Sequence, residues 1–449
     1  MAANETPTPT PPAIDTIDTI AAAGAPAKPP MLSVAQARAF LLAAADAHAA
    51  IRARHEILPT LEANGRVLAV AQTSQLNVPP MDNTQIDGYA VRAADCVSGS
   101  ARLRVTQRIP AGHVGTELAP GTAARIFTGA MIPPGADAVV MQEVCEAQRD
   151  ADGDHVIVRQ VPSAGEWIRR AGEDIRAGDQ ILGAGTRLRG QELGLAASVG
   201  LADLPLVRKL RVAVFYTGDE LAMPGEGLKP GAIYNSNRFM LRGLLENLGC
   251  ELTDFGIVPD TLAATRDTLR RAARGHDLII TSGGVSVGEE DHIKTAVEAE
   301  GRLNLWQIAV KPGKPLAFGE VRRVRRQGDP GDAADAHAFF LGLPGNPVSS
   351  FVTFLLFVRP FMLRLQGVQD VLPKTYAMRA DFAWPKADRR NEFLRARIND
   401  AGGLDLFANQ GSGVLTSTVW GDGLIDNPAG RTINAGDTAQ FIPFSALLD

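Results

Sequence analysis

The order of apolar and polar positions divides the chain into stretches of different period. From Ser33 the apolar residues Val34, Ala37, Phe40 and Leu41 recur at helical spacing, with Ser33 placed to cap the first turn. A second helical stretch is expected near Arg52 to Leu58, stopped by Pro59. Between about 73 and 170 the period shortens to two. Segments 102–106 and 155–158 alternate between clusters of Gly, Pro and Asp, which is the pattern of a small β-rich domain. Residues 171–208 return to short strands and one helix, Gln191 to Val199, and are expected to pack with the first helices. The β-rich domain (73–170) is then an insertion in an extended linking domain made of 31–72 and 171–208.

From Arg211 strands and helices alternate. Val212 to Tyr216 is a short run of strand formers, Asn235 to Leu248 an amphipathic helix closed by Gly249, and a strand then runs to Val258. A helix over Thr261 to Ala273, a strand over Asp277 to Thr281, a strand at Phe339 to Leu341 and a helix from Asn346 and Pro347 follow. This alternation predicts a central doubly wound, mostly parallel α/β domain over 209–360, with 321–337 as a polar loop. Past Pro360 alternating segments such as Glu392 to Ile398 predict a C-terminal all-β domain over 361–449.

Composition narrows the function classes. Residues 1–30 are rich in Pro, Thr and Ala and are expected to be a disordered tail. The net charge of -5 argues against a general nucleic-acid binder, and Arg322, Arg323, Arg325 and Arg326 read as a solvated loop. Cys96, Cys145 and Cys250 are too few and too far apart for a disulfide framework. The apolar run Phe351 to Val358 falls short of the roughly 20 residues of a membrane span. No basic segment followed by an apolar one opens the chain, so a cytoplasmic location with no membrane partner is expected.

Three loops are expected at the carboxyl ends of α/β strands, where open sheets bind ligands. They hold Thr217, Gly218, Asp219 and Glu220; Thr281 to Gly288, including Ser282, Gly283, Gly284 and Ser286; and Gly342 to Pro347, including Pro344 and Asn346. Glycines let backbone N–H groups approach an anion, and hydroxyls add donors, so the set reads as a phosphate cradle. Glu220, Asp260 and Asp291 accompany it. Acids beside a phosphate site imply an intervening cation, Mg²⁺ being the natural one, held by Glu220 and Asp291. Helix capping is the competing role for Asp260 and Asp291. Lys311 and Lys314 flank a Pro-Gly turn and suit an oxyanion, although a plain hairpin is written the same way. Gly284 to Gly288 also spells a nucleophile elbow, but His292 and His337 are badly placed to complete a triad.

These segments, with Asp82, Asn83, Asp87 to Ala90, Arg125, Thr128 to Ala130 and Gly172 to Ile175, resemble the MoeA family of molybdopterin molybdenumtransferases. The likeness spans about 31–445, with seven motifs in the family's order. It implies an elongated homodimer whose active site joins the α/β domain of one subunit to the inserted domain of the other. It implies that adenylylated molybdopterin and molybdate are the substrates, with transient contact to a molybdopterin adenylyltransferase and to molybdoenzymes. Asp87, Thr128 and Asp174 would then face the site from the partner, Arg170 would bind substrate, and Glu220, Asp260 and Asp291 would handle metal or water. Lys311, Lys314 and the binding loops would hold anions, and Ser412 would contribute from the C-terminal domain. Ile86 and Phe127 stand where the family commonly has methionine, and Gln307 where it often has lysine. An adenylyltransferase on the same fold and a non-catalytic pterin-binding scaffold are the alternatives. Intact Glu220, Asp260 and Asp291 argue against the scaffold.

Overall fold

The computed structural model describes residues 31–285, 292–313, 315–323 and 336–448. At its centre is a six-stranded sheet in the order Glu251–Val258, Arg211–Thr217, Leu278–Ser282, His337–Leu343, Pro315–Arg322, Gly301–Gln307. The first four strands are parallel, and the last two run antiparallel to their neighbours. Both faces are covered, and one strand shows why. Val212, Val214 and Tyr216 enter a core shared with Leu241 and Leu245 of helix Ser236–Asn247. Ala213 and Phe215 enter the opposite core, with Leu269 of helix Leu262–Gly275 and Ile293 of helix His292–Glu300. A continuous apolar strand is what burial on both faces requires.

The chain continues through Pro347–Thr353, a π-helical turn Phe354–Val358 and Arg359–Leu365 as one helix of 19 residues. Pro360 has no N–H to give the preceding turn, and the widened turn lies where that bond is missing. The helix is longer than the apolar run suggested, and its length and composition would suit a membrane span. Burial of 94% of its apolar window makes it the core helix of this domain instead. Helix Val34–Ala47, opened by a reciprocal Ser33–Gln36 capping box, lays Val34, Ala37, Leu41 and Ala45 into the same core. Phe40, expected with them, is 45% exposed and meets Phe318 edge-on.

The second helix lies earlier in the chain than predicted. It covers Ala49–Ala53, and His55–Pro59 is a strand paired antiparallel with Asp203–Val207. That pairing ties 55–59 to 203–207 across the insertion, and Leu68, Leu182, Ala196, Leu204 and Leu206 form the linking core. The inserted domain is a six-stranded sheet with a core on each face. The C-terminal region is built on the strands Tyr376–Arg379, Asn391–Ile398, Gly423–Asn427 and Thr438–Pro443. Short helices Thr416–Trp420 and Ser445–Leu448 correct the all-β expectation. One strand of that sheet is borrowed: Val310–Lys311 pairs in parallel with Asn391 and Glu392. The region 321–337, expected as a loop, begins and ends in strand, with Arg322 paired to His337; 324–335 lie outside the described residues.

Candidate active site

The carboxyl ends of three parallel strands open into a cavity of about 770 Å³. Thr217, Glu220, Asp260, Ser282, Gly283, Gly284, Lys311, Pro344, Asn346 and Ser412 all line it, so four separate chain segments expected to carry chemistry meet here with Asp260 and the lysine turn. Asp219 is exposed on the same turn but is not part of the wall. Ser286, Gly288, Asp291 and Lys314 lie outside the described residues.

Hydrogen bonds lock the loops together. Asn237 Nδ2 donates to Ser282 Oγ at 2.8 Å and to the Gly345 carbonyl at 2.7 Å, while Ser282 Oγ donates to the Pro344 carbonyl at 3.1 Å. The Val348 N–H donates to the Ser412 carbonyl at 2.9 Å, which docks the C-terminal domain on the start of the core helix. Gly283 has φ +97°, and a Cβ there would stand 2.6 Å from the Thr217 carbonyl oxygen. No other residue fits that approach. Thr217 Oγ1, Asn235 Nδ2 and Asn237 Oδ1 are buried in the cavity wall with no hydrogen-bond partner among the described residues. Buried polar atoms left unpaired in this way are costly unless a ligand satisfies them.

Thr261, not Asp260, caps helix Leu262–Gly275, its hydroxyl accepting from the Ala264 N–H at 3.3 Å. Neither Glu220 nor Asp260 has an ion-pair or side-chain hydrogen-bond partner among the described residues. Lys311, by contrast, is engaged: its ammonium lies 2.9 Å from Glu392 and 3.3 Å from Asp388. Burial pulls the Lys311 pKa down, but these carboxylates outweigh it and hold the group above the ordinary lysine value. Arg390, also in the wall, forms a two-pronged pair with Asp388 at 2.9 and 3.0 Å. Donation from Arg390 holds the Asp388 carboxyl well below the usual range.

Sequence reasoning missed Asn235, Asn237, Arg390 and Arg395. Two amides bracketing a helix start just after a strand-end loop were the available signal for the first pair. Arg395 is fully buried and donates to Ser417 Oγ at 3.0 Å and to the Gly411 carbonyl at 3.3 Å, which fixes the loop bearing Ser412. Burial pushes its pKa down to about 10, so it remains charged at neutral pH.

Asp87, Thr128, Arg170 and Asp174 do not reach this cavity in their own chain. They belong to a polar face on and beside the inserted domain. Thr128 donates to Asp87 Oδ1 through both its N–H and its hydroxyl, each at 2.8 Å. Those two bonds hold the Asp87 carboxyl below its usual range. Arg170 pairs with Asp82 at 2.6 Å, and the Asp174 N–H donates to the Val78 carbonyl at 3.0 Å.

Fold and cavity together define a multidomain α/β protein with a polar cavity at the carboxyl ends of its parallel strands. Residues 32–200 match the MoeA N-terminal region (domain I and II), 213–364 a domain described as "Probable molybdopterin binding domain", and 377–444 the MoeA C-terminal region (domain IV). The molybdopterin molybdenumtransferase of Haemophilus influenzae is 40% identical, the match covering 88% of this chain and 95% of that protein. Its counterpart in Bacillus subtilis is 33% identical over 84% and 87%. Among solved structures, the molybdopterin biosynthesis MoeA protein of Pyrococcus horikoshii superposes with a TM-score of 0.75 at 28% identity, covering 92% of this chain and all of that one. The chain belongs to the MoeA family.

Proposed function

We propose that the chain is a molybdopterin molybdenumtransferase. It takes adenylylated molybdopterin and molybdate, releases AMP and leaves molybdenum on the pterin dithiolene. The observation that carries this reading is the cavity in which Thr217, Ser282, Asn237 and Asn346 stand beside two unpaired carboxylates. Water adds to one phosphorus of the bridge between adenylate and the pterin phosphate as the bridging P–O bond breaks, and molybdate takes the two sulfurs in place of an oxygen, which leaves as water with the two thiol protons. The loop N–H groups, Ser282 and Ser412 orient the phosphates and the oxyanion, so positioning and electrostatics supply the rate.

A cation is needed on charge grounds. The described wall carries Lys311 and Arg390 against Glu220 and Asp260, with Asp388 and Glu392 already drawing on both cations. An anionic substrate entering that wall gains little without further positive charge. Among the described residues no group of three possible ligands stands together, but two free carboxylates fit Mg²⁺, which completes its shell with water and substrate oxygens. Glu220 and Asp260 would hold it, with Asp291 as a third, and bound Mg²⁺ would neutralise charge developing on the phosphate oxygens.

Asp87, Thr128, Arg170 and Asp174 complete the site from a second subunit in a homodimer. Their polar face contributes nothing to the cavity of its own chain, and this supports the pairing. Asp87, held ionised by Thr128, is suited to accept a proton or orient water. The reaction belongs in the cytoplasm, and three free thiols agree with a reducing compartment. Purified protein given adenylylated molybdopterin, Mg²⁺ and molybdate should release AMP only when molybdate is present. Asp260→Asn should lower that rate by about 100-fold or more. Tight pterin binding with no AMP from either protein would leave a binding scaffold instead.

A further inference from the structure

Trp167 is the only non-glycine residue with positive φ (+55°) among those described. A bulky side chain in the left-handed region is unfavourable and persists only where something offsets it. Glycine or asparagine would hold the same turn at less cost. The turn itself is well anchored: the Gln85 N–H donates to the Trp167 carbonyl at 3.0 Å, and Ile168 and Arg169 pair with Thr84 and Asn83.

Trp167 is 38% exposed, and its ring has no aromatic, cationic or hydrogen-bonding partner among the described residues. The exposed part of the ring is open to a partner from outside the fold. The neighbourhood is the polar face already described. Gln85, which donates to the Trp167 carbonyl, is two residues from Asp87; Gly129, next to Thr128, donates to the Thr84 carbonyl at 2.9 Å; Arg169 and Arg170, bonded to Asn83 and Asp82, follow after Ile168.

We infer that Trp167 is a stacking residue of this face, its indole receiving a planar heteroaromatic ring of the substrate that enters the facing subunit's cavity. This rests on the dimeric site proposed above and deepens it. Tryptophan presents a large π surface on which a planar heteroaromatic ring can stack. Two rings of the substrate share that chemistry, the pterin and the adenine.

The full-length protein is tested as Trp167→Gly and Trp167→Phe. Glycine relieves the backbone strain, so Trp167→Gly should melt no lower than wild type while its KM and Kd for adenylylated molybdopterin rise about ten-fold. Trp167→Phe should recover most of the affinity. Competition by AMP alone and by pterin alone tells the sources apart: the ring that stacks is the one whose inhibition weakens in the glycine variant. Unchanged KM and Kd in Trp167→Gly, with active wild type, overturns the inference and leaves the transferase reading standing. A shift of Trp167→Gly to a smaller assembly also overturns it and makes the indole a subunit contact. Wild-type protein that neither binds nor turns over the substrate overturns both.

Discussion

At the scale of single residues, the site is governed by which acids are paired. Glu220 and Asp260 stand open, whereas Asp87 is held by Thr128 and Asp388 by Arg390. The Asp87 pKa is depressed by hydrogen bonds to its ionised form, so the stabilisation is complete above the unfolded value of about 3.9 and is lost as pH falls through the folded one. Thr128→Val removes the hydroxyl and keeps the N–H, so the Asp87 pKa should rise part of the way back. The acid limb of kcat/KM against pH should then move to higher pH, with the alkaline limb unmoved. An acid limb that stays in place would mean that Asp87 ionisation does not limit the reaction. The strand-end acid Glu220 and the hydroxyls Thr217 and Ser282, which line the cavity, were picked out in the sequence because loops of this composition recur at the ends of several apolar strands. Asn235, Asn237 and Arg390 were not, because their roles depend on long-range partners such as Ser282 and Gly345 that local spacing does not encode.

At the scale of elements, the lysine turn does more than sequence suggested. Lys311 was read as a cation for substrate, and it also ends a two-residue strand that joins the C-terminal sheet. Its partner Glu392 is only 1% exposed and is otherwise met by the Trp384 indole N–H and Asn427. Lys311→Met therefore strips a buried carboxylate of its cation and should destabilise the protein by about 2 kcal/mol, read as a lower denaturant midpoint. Glu392→Gln in the same background should restore part of that loss; no restoration would show that the pair does not hold the domains. The periodic helices and the buried strands of the α/β domain appeared in sequence close to their real bounds, since burial on one stripe or on both faces leaves a strong pattern. His55–Pro59 did not. Its alternation is short, and only pairing with Asp203–Val207, on the far side of the insertion, makes it a strand.

At the scale of the whole molecule, the cavity and the polar face that bears Asp87 and Thr128 do not meet within one chain. The cavity lies between the α/β and C-terminal domains, while Asp87, Thr128, Arg170 and Asp174 belong to the other polar face. The docking of the C-terminal sheet through Lys311 and Ser412 could not be read from the change of period along the chain. The central claim is that the cavity of one subunit, completed by the inserted domain of another, carries out molybdate-dependent release of AMP. Subunit mixing tests it most directly: Asp87→Asn and Asp260→Asn, each inactive alone, are co-expressed and assayed together. Random pairing of equal amounts gives one intact site in half of the dimers, so activity should return to about a quarter of wild type. Activity that stays at the level of the separate variants would contradict the shared site.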